Sequence, residues 1–271
     1  MKHNHVELFL LLFVLAGCAS SITPPERHEQ SISTIADVET WLKGYYLYPR
    51  PDLFPSVLEV MEREKVLTGD QNAQAPFLGV FALMFRMHPH KVGTWAAQAD
   101  GYSDDLRRTL WMGLWLSNSP GSRDYLEERR KTAAGQDAEY LDVLLNISPY
   151  SLEFLAPETP ENLDTLWGAF FVTGQDIYIL NVIKALEYYD QREVPDLFLT
   201  AVSAKWSLKS NAARHPRVLM VCRKASGGKD AAAAHLADIV GQVDGRTVWV
   251  DERAKGIDIL RREFSIGAFD Y

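Results

Sequence analysis

Residues 77–85 read Phe-Leu-Gly-Val-Phe-Ala-Leu-Met-Phe, with Phe77, Val80, Phe81, Met84 and Phe85 at i, i+3, i+4, i+7 and i+8. That spacing gathers five large side chains on one face of a helix turning every 3.6 residues; a strand would scatter them over two faces. Upstream, Val38, Trp41, Leu42, Tyr45 and Tyr46 repeat the spacing. Downstream, Leu163, Leu166, Trp167, Phe170 and Phe171 repeat it again, and Ile179, Val182, Ile183 and Leu186 follow. The intervals carry helix-stop and turn chemistry: Pro49-Arg50-Pro51, His88-Pro89, Asn118-Ser119-Pro120-Gly121, Thr173-Gly174 and Ser226-Gly227-Gly228. Residues 35–271 are therefore expected to form a single all-α domain, a run of antiparallel helix pairs. The best strand candidate, Thr247-Val248-Trp249-Val250, is short and isolated.

A looser pattern overlies the helices. Gly44, Gly79, Gly113, Gly168 and Ala204 each follow an apolar residue two positions earlier (Leu42, Phe77, Trp111, Leu166, Val202). Each precedes an aromatic two positions later (Tyr46, Phe81, Trp115, Phe170, Trp206). Small residues with flanking bulk suit close helix crossings. Three of the four steps, at 35, 34 and 36 residues, have the size of one helical hairpin, and the fourth is 55. The body thus loosely resembles tetratricopeptide-type helical repeats, without that family's fuller Trp, Leu, Gly and Tyr pattern. The resemblance implies a short irregular α-solenoid of stacked hairpins; the alternative is an irregular helical bundle.

With 47% hydrophobic and 24% charged residues among 271, the composition excludes a disordered or collagen-like chain, and two cysteines exclude a disulfide scaffold. The net charge of -8 lacks the basic footprint of a nucleic-acid binder, so no nucleic-acid partner is expected.

The N-terminus is the most specific stretch. Leu8 to Ala16 is an unbroken apolar run of nine residues, with Lys2 before it. A helix crossing a bilayer needs roughly 20 residues, so the run fits the apolar core of a secretory signal instead. It ends in Leu15-Ala16-Gly17-Cys18, which resembles the lipobox of bacterial lipoproteins. The resemblance implies that residues 1–17 are a signal peptide and that Cys18 is the lipidation site. Its thiol would receive a diacylglyceryl group and its new amine an acyl chain such as palmitate. Ala19 rather than Asp after the cysteine implies delivery to the outer membrane. Residues 18–34, with Pro24-Pro25 and several serines, read as a lipidated end and flexible tether.

No motif in the remainder assembles a catalytic, metal or cofactor site, and none is expected. Cys222 lies in an apolar run and reads as a small core hydrophobe. His88-Pro89-His90 and His215-Pro216 read as helix-ending turns, with no ligand spacing around them. Ser226-Gly227-Gly228-Lys229-Asp230 has two glycines of a phosphate loop, but Asp230 stands where a magnesium-binding hydroxyl would, and reads as a helix cap. Asp104-Asp105 with Arg107-Arg108, and Glu127-Glu128 with Arg129-Arg130-Lys131, read as solvated charged faces.

The aromatics, 7 Trp, 11 Tyr and 12 Phe, are expected mainly in the core. Trp41, Tyr45, Tyr46 and Tyr48 cover more than one helix face and are the candidate partner-contact surface. Together these features suggest a membrane-anchored periplasmic or surface scaffold that binds the bilayer through acylated Cys18 and a protein through its helical body. The alternatives are a cell-envelope enzyme acting on glycan or peptide and a carrier of an apolar ligand. The reading leans away from catalysis.

Overall fold

The computed structural model describes residues 31–69 and 73–244. Cys18, most of the tether and Thr247–Val250 lie outside the described residues. Among the described residues the chain is all-α: twelve α-helices, joined by turns and short 3₁₀ segments, and no strand. They gather into two compact units that divide between Pro149 and Tyr150.

The first unit holds α1 (Ile35–Gly44), α2 (Phe54–Arg63), α3 (Gln74–Met87), α4 (Val92–Ala97), α5 (Asp104–Ser117), α6 (Ser122–Thr132) and α7 (Gln136–Asn146). Helix α1 opens with a capping box. The Thr34 hydroxyl accepts from the Asp37 amide at 3.2 Å, and the Asp37 carboxylate accepts from the Thr34 amide at 2.8 Å. Arg63 Nη2 donates to the Ser33 carbonyl at 2.5 Å, and Ile32 is buried. The folded unit thus reaches back to Ile32, three residues into the stretch whose composition reads as tether. A local cap and one buried isoleucine outweigh the polar composition around them.

Helices α3 and α5 form the centre of this unit. Val80, Phe81, Met84 and Phe85 are buried from one side, and Leu110, Trp111 and Leu114 from the other, while Phe77 is half-buried. Gly113 is the crossing point. A Cβ built on it would stand 2.5 Å from Phe81 Cβ, so only glycine admits this approach. Between α5 and α6, Asn118 takes the left-handed conformation at φ 47°. There the buried hydroxyls of Ser117, Ser119 and Ser122 bond one another at 2.6–3.0 Å.

The second unit holds α8 (Pro160–Thr173), α9 (Asp176–Lys184), α10 (Pro195–Ala212), α11 (Pro216–Ser226) and α12 (Ala231–Asp244). Helix α8 begins with Pro160 behind a Thr159 cap and ends at Gly174 in the left-handed region, φ 67°, which turns the chain into α9. It is apolar nearly all round, with Leu163, Leu166, Trp167, Gly168, Phe170 and Phe171 buried. Asp230 caps α12, its Oδ1 accepting from the Ala233 amide at 2.9 Å. The glycine-rich turn before it is therefore a helix start whose anion is its own side chain. Helices α8 with α9, and α11 with α12, pack as hairpins, and α10 packs against members of both pairs.

The repeat pattern survives only in part. Gly113 is a true crossing, and Gly79, Gly168 and Ala204 are buried. A Cβ on Gly44 would meet nothing within 4 Å. Val202 and Trp206, the flanking bulk around Ala204, point outward. A small residue two positions from two large ones is compatible with either orientation, because i-2 and i+2 both lie across the helix from i.

Candidate functional site

The aromatic group at the end of α1 is divided by burial. Trp41 is buried, and its Nε1 donates to the Arg50 carbonyl at 3.1 Å. Tyr45 is fully buried, edge-on to Trp41 with ring centroids 5.0 Å apart. Phe54 continues the cluster, 6.3 Å from Trp41 and 4.8 Å from Trp95. Trp41 and Tyr45 are thus core residues, as their i, i+4 spacing demands, and they offer no ring face to a partner. Tyr46 and Tyr48 keep partial exposure at the edge of the cluster.

The broadest outward apolar feature on one helix lies elsewhere. Along α10, Leu199, Val202 and Trp206 are 56%, 38% and 36% exposed. They stand at i, i+3 and i+7, and Lys209 extends the line. The opposite face, Thr200, Ala201, Ala204, Leu208 and Ala212, is buried. Leu208 apart, small residues mark the packed side of this helix, while Leu199, Val202 and Trp206 stand on the solvent side, against ordinary amphipathicity. The signal was present in the sequence as an alanine-lined face, but large residues are the ones normally assigned to the core. Phe154, at 87% exposed, is a second outward aromatic in the same unit.

Helix α8 carries an unusual carboxyl. Burial pushes Asp164 up to about 7, with the negative charge of Glu161 one turn before it adding to the effect. One turn after it, the Trp167 indole N–H is buried without a hydrogen-bond partner. A carboxyl raised towards neutrality is a candidate general acid or base. The i, i+3 spacing of Glu161, Asp164 and Trp167 was readable, but nothing in the sequence marked the carboxyl of Asp164, a half-buried residue, as shielded from water.

The other singled-out residues have structural settings. Cys222 is fully buried in α11, and burial pushes its thiol up to about 12, far from a reactive thiolate. His215 is buried at the start of α11 against Phe170 and Phe171, with ring centroids 6.1 Å and 5.2 Å away. The charged runs form ties between helices. Arg107 Nη2 bridges Asp104 at 2.6 Å and Asp137 at 2.5 Å, and Arg108 reaches Asp137 at 2.8 Å, joining α5 to α7. Arg130 joins α6 to α7 through Asp142 at 2.6 Å. Among the described residues no group of three or more His, Cys, Asp or Glu side chains is placed to hold a metal ion, and no helix is long and apolar enough to cross a membrane.

Compared with known proteins, the chain matches no family, no curated protein and no solved structure.

Proposed function

We propose that the protein is a lipid-anchored helical scaffold of the bacterial cell envelope, held at the outer membrane through acylated Cys18, that binds a protein partner. The observation that carries the reading is the outward stripe of Leu199, Val202 and Trp206 on α10. Large side chains aligned in solvent on one helix are characteristic of contact surfaces, and tryptophan is enriched among the residues that dominate binding energy. The lipobox-like Leu15-Ala16-Gly17-Cys18 supports the anchor, and a tether raises the effective concentration of a membrane-bound partner without new contacts. A photo-crosslinking residue in place of Leu199, in the anchored protein in its native cell, should capture one dominant protein. Trp206→Ser in the same chain should remove that product while far-UV circular dichroism stays unchanged. Diffuse labelling that Trp206→Ser leaves intact would refute the scaffold reading.

Asp164 favours a second reading, an enzyme acting on envelope glycan or peptide with this carboxyl as its acid or base. Purified protein would then turn over such a polymer, and Asp164→Asn would abolish the turnover without loss of fold.

A further inference from the structure

Tyr45 caps the C-terminus of α1, and His88 caps that of α3. The Tyr45 hydroxyl and His88 Nε2 lie 3.1 Å apart, across 43 residues of sequence. Trp95 of α4 stands edge-on to the His88 ring at 5.5 Å, and Trp41 stands edge-on to Tyr45. A polar contact therefore joins the end of α1 to the end of α3 within a cluster of aromatic rings.

The direction of this bond depends on the protonation of His88. A neutral imidazole has one acceptor nitrogen and one N–H. Burial and the charge of Asp52 hold the Tyr45 phenol above its ordinary range, so its hydroxyl keeps its proton, and in the tautomer that leaves Nε2 bare it donates that proton to Nε2. The ring proton of His88 then sits on Nδ1. An imidazolium is a donor at both nitrogens. Its Nε2–H would donate to the Tyr45 oxygen, reversing the bond, and the hydroxyl proton would lose its acceptor while Tyr45 remains fully buried. A buried donor without a partner is costly.

We propose that the Tyr45–His88 hydrogen bond is a pH-sensitive latch, which holds α1 against α3 while His88 is neutral and loosens α1 when His88 takes up a proton. The charged groups around it bias the latch towards its closed state. His90 and Lys91, on the turn that follows His88, oppose a further positive charge, and burial, the larger effect, lowers the His88 pKa further. Asp52 faces Tyr45 but is engaged by Arg50 at 2.7 Å. Helix α4, Val-Gly-Thr-Trp-Ala-Ala, brings no charge. The latch therefore stays closed at neutral pH and opens only in acid. Helix α1 is the first described helix after the lipobox-like stretch, so opening would loosen the body where it follows the anchor.

Hydrogen exchange of the full chain tests the proposal, with rates corrected for the intrinsic effect of pH. Protection of residues 35–48 should be constant above pH 6.5, the ordinary histidine value. It should fall below that value, by roughly tenfold for each unit by which the latch depresses the His88 pKa. His88→Gln keeps an amide acceptor at every pH, and its protection of residues 35–48 should be unchanged by acid. His90→Gln removes an opposing charge and should move the wild-type midpoint upward. Imidazole NMR of the wild-type chain provides a readout that needs no variant: the His88 titration midpoint should lie below 6.5, where the fall in protection levels off. Titration of His88 without that loss, or an acid-driven loss that persists in folded His88→Gln, would overturn the latch.

Discussion

Asp164 and His88 respond to acid with opposite signs. The Asp164 pKa, about 7 in the folded protein, lies above its ordinary 3.8, so folding binds its proton more tightly. The stability this group withholds at neutral pH is recovered as pH falls from about 7 towards about 4. Asp164→Asn should therefore stabilise the protein by about 1–3 kcal/mol at about pH 8 and change little near pH 4. Denaturant titrations at the two pH values check this; an equal effect at both would show that the carboxyl is solvated. The His88 pKa is lowered instead, so its contribution is complete above 6.5 and is lost as pH falls below it. Neither behaviour was legible in the sequence. Sequence put His88 at a helix end, but a pKa follows from what surrounds the side chain, and the Tyr45 and Trp95 around His88 come from other elements. The inert Cys222 was legible, because an apolar run of four residues before it already implied burial.

Helices are the scale at which the sequence spoke most clearly. The i, i+3, i+4 sets of residues 38–46, 77–85 and 163–171 all fall within or at the ends of helices whose buried faces they supply. Local periodicity sufficed because a helix closes its own hydrogen bonds. How helices pair was less legible. Gly113 was identified as a crossing and is one, whereas Gly44 has the same neighbours and open space. Gly113→Ala should destabilise the first unit by about 1–3 kcal/mol, because the methyl displaces backbone and Cβ atoms of α3 rather than the flexible end of a side chain. Gly44→Ala, in a helix and unobstructed, should be neutral or stabilising by up to about 1 kcal/mol. Thermal melts of the pair test whether the shared pattern or the local space decides. At the start of α1, Thr34→Ala removes the acceptor for the Asp37 amide and should cost about 1 kcal/mol. That loss should appear as faster exchange confined to the first turn of α1.

For the whole molecule, the proposed anchor makes the most direct prediction. Expressed in a suitable bacterium, the chain should incorporate labelled fatty acid and sediment with membranes, and Cys18→Ser should abolish both. Unlabelled wild-type protein that retains residues 1–17 would rule the anchor out. If the scaffold reading holds, Cys18→Ser should also weaken partner capture even in exported, folded protein, because the tether then no longer concentrates the two at one surface. Cys222 gives the second unit a clock of its own. Its sulfur is fully buried, and once Cys18 is acylated or removed it is the one remaining thiol. A thiol-reactive dye can reach it only during an opening of the helices around it, so the slow appearance of colour counts those openings one molecule at a time. When labelling outpaces reclosing, the rate is that of opening; when it does not, the rate gives the open fraction. Comparing this rate with and without the proposed partner would measure, with no mutation at all, how far binding at the α10 stripe would steady the unit that carries it.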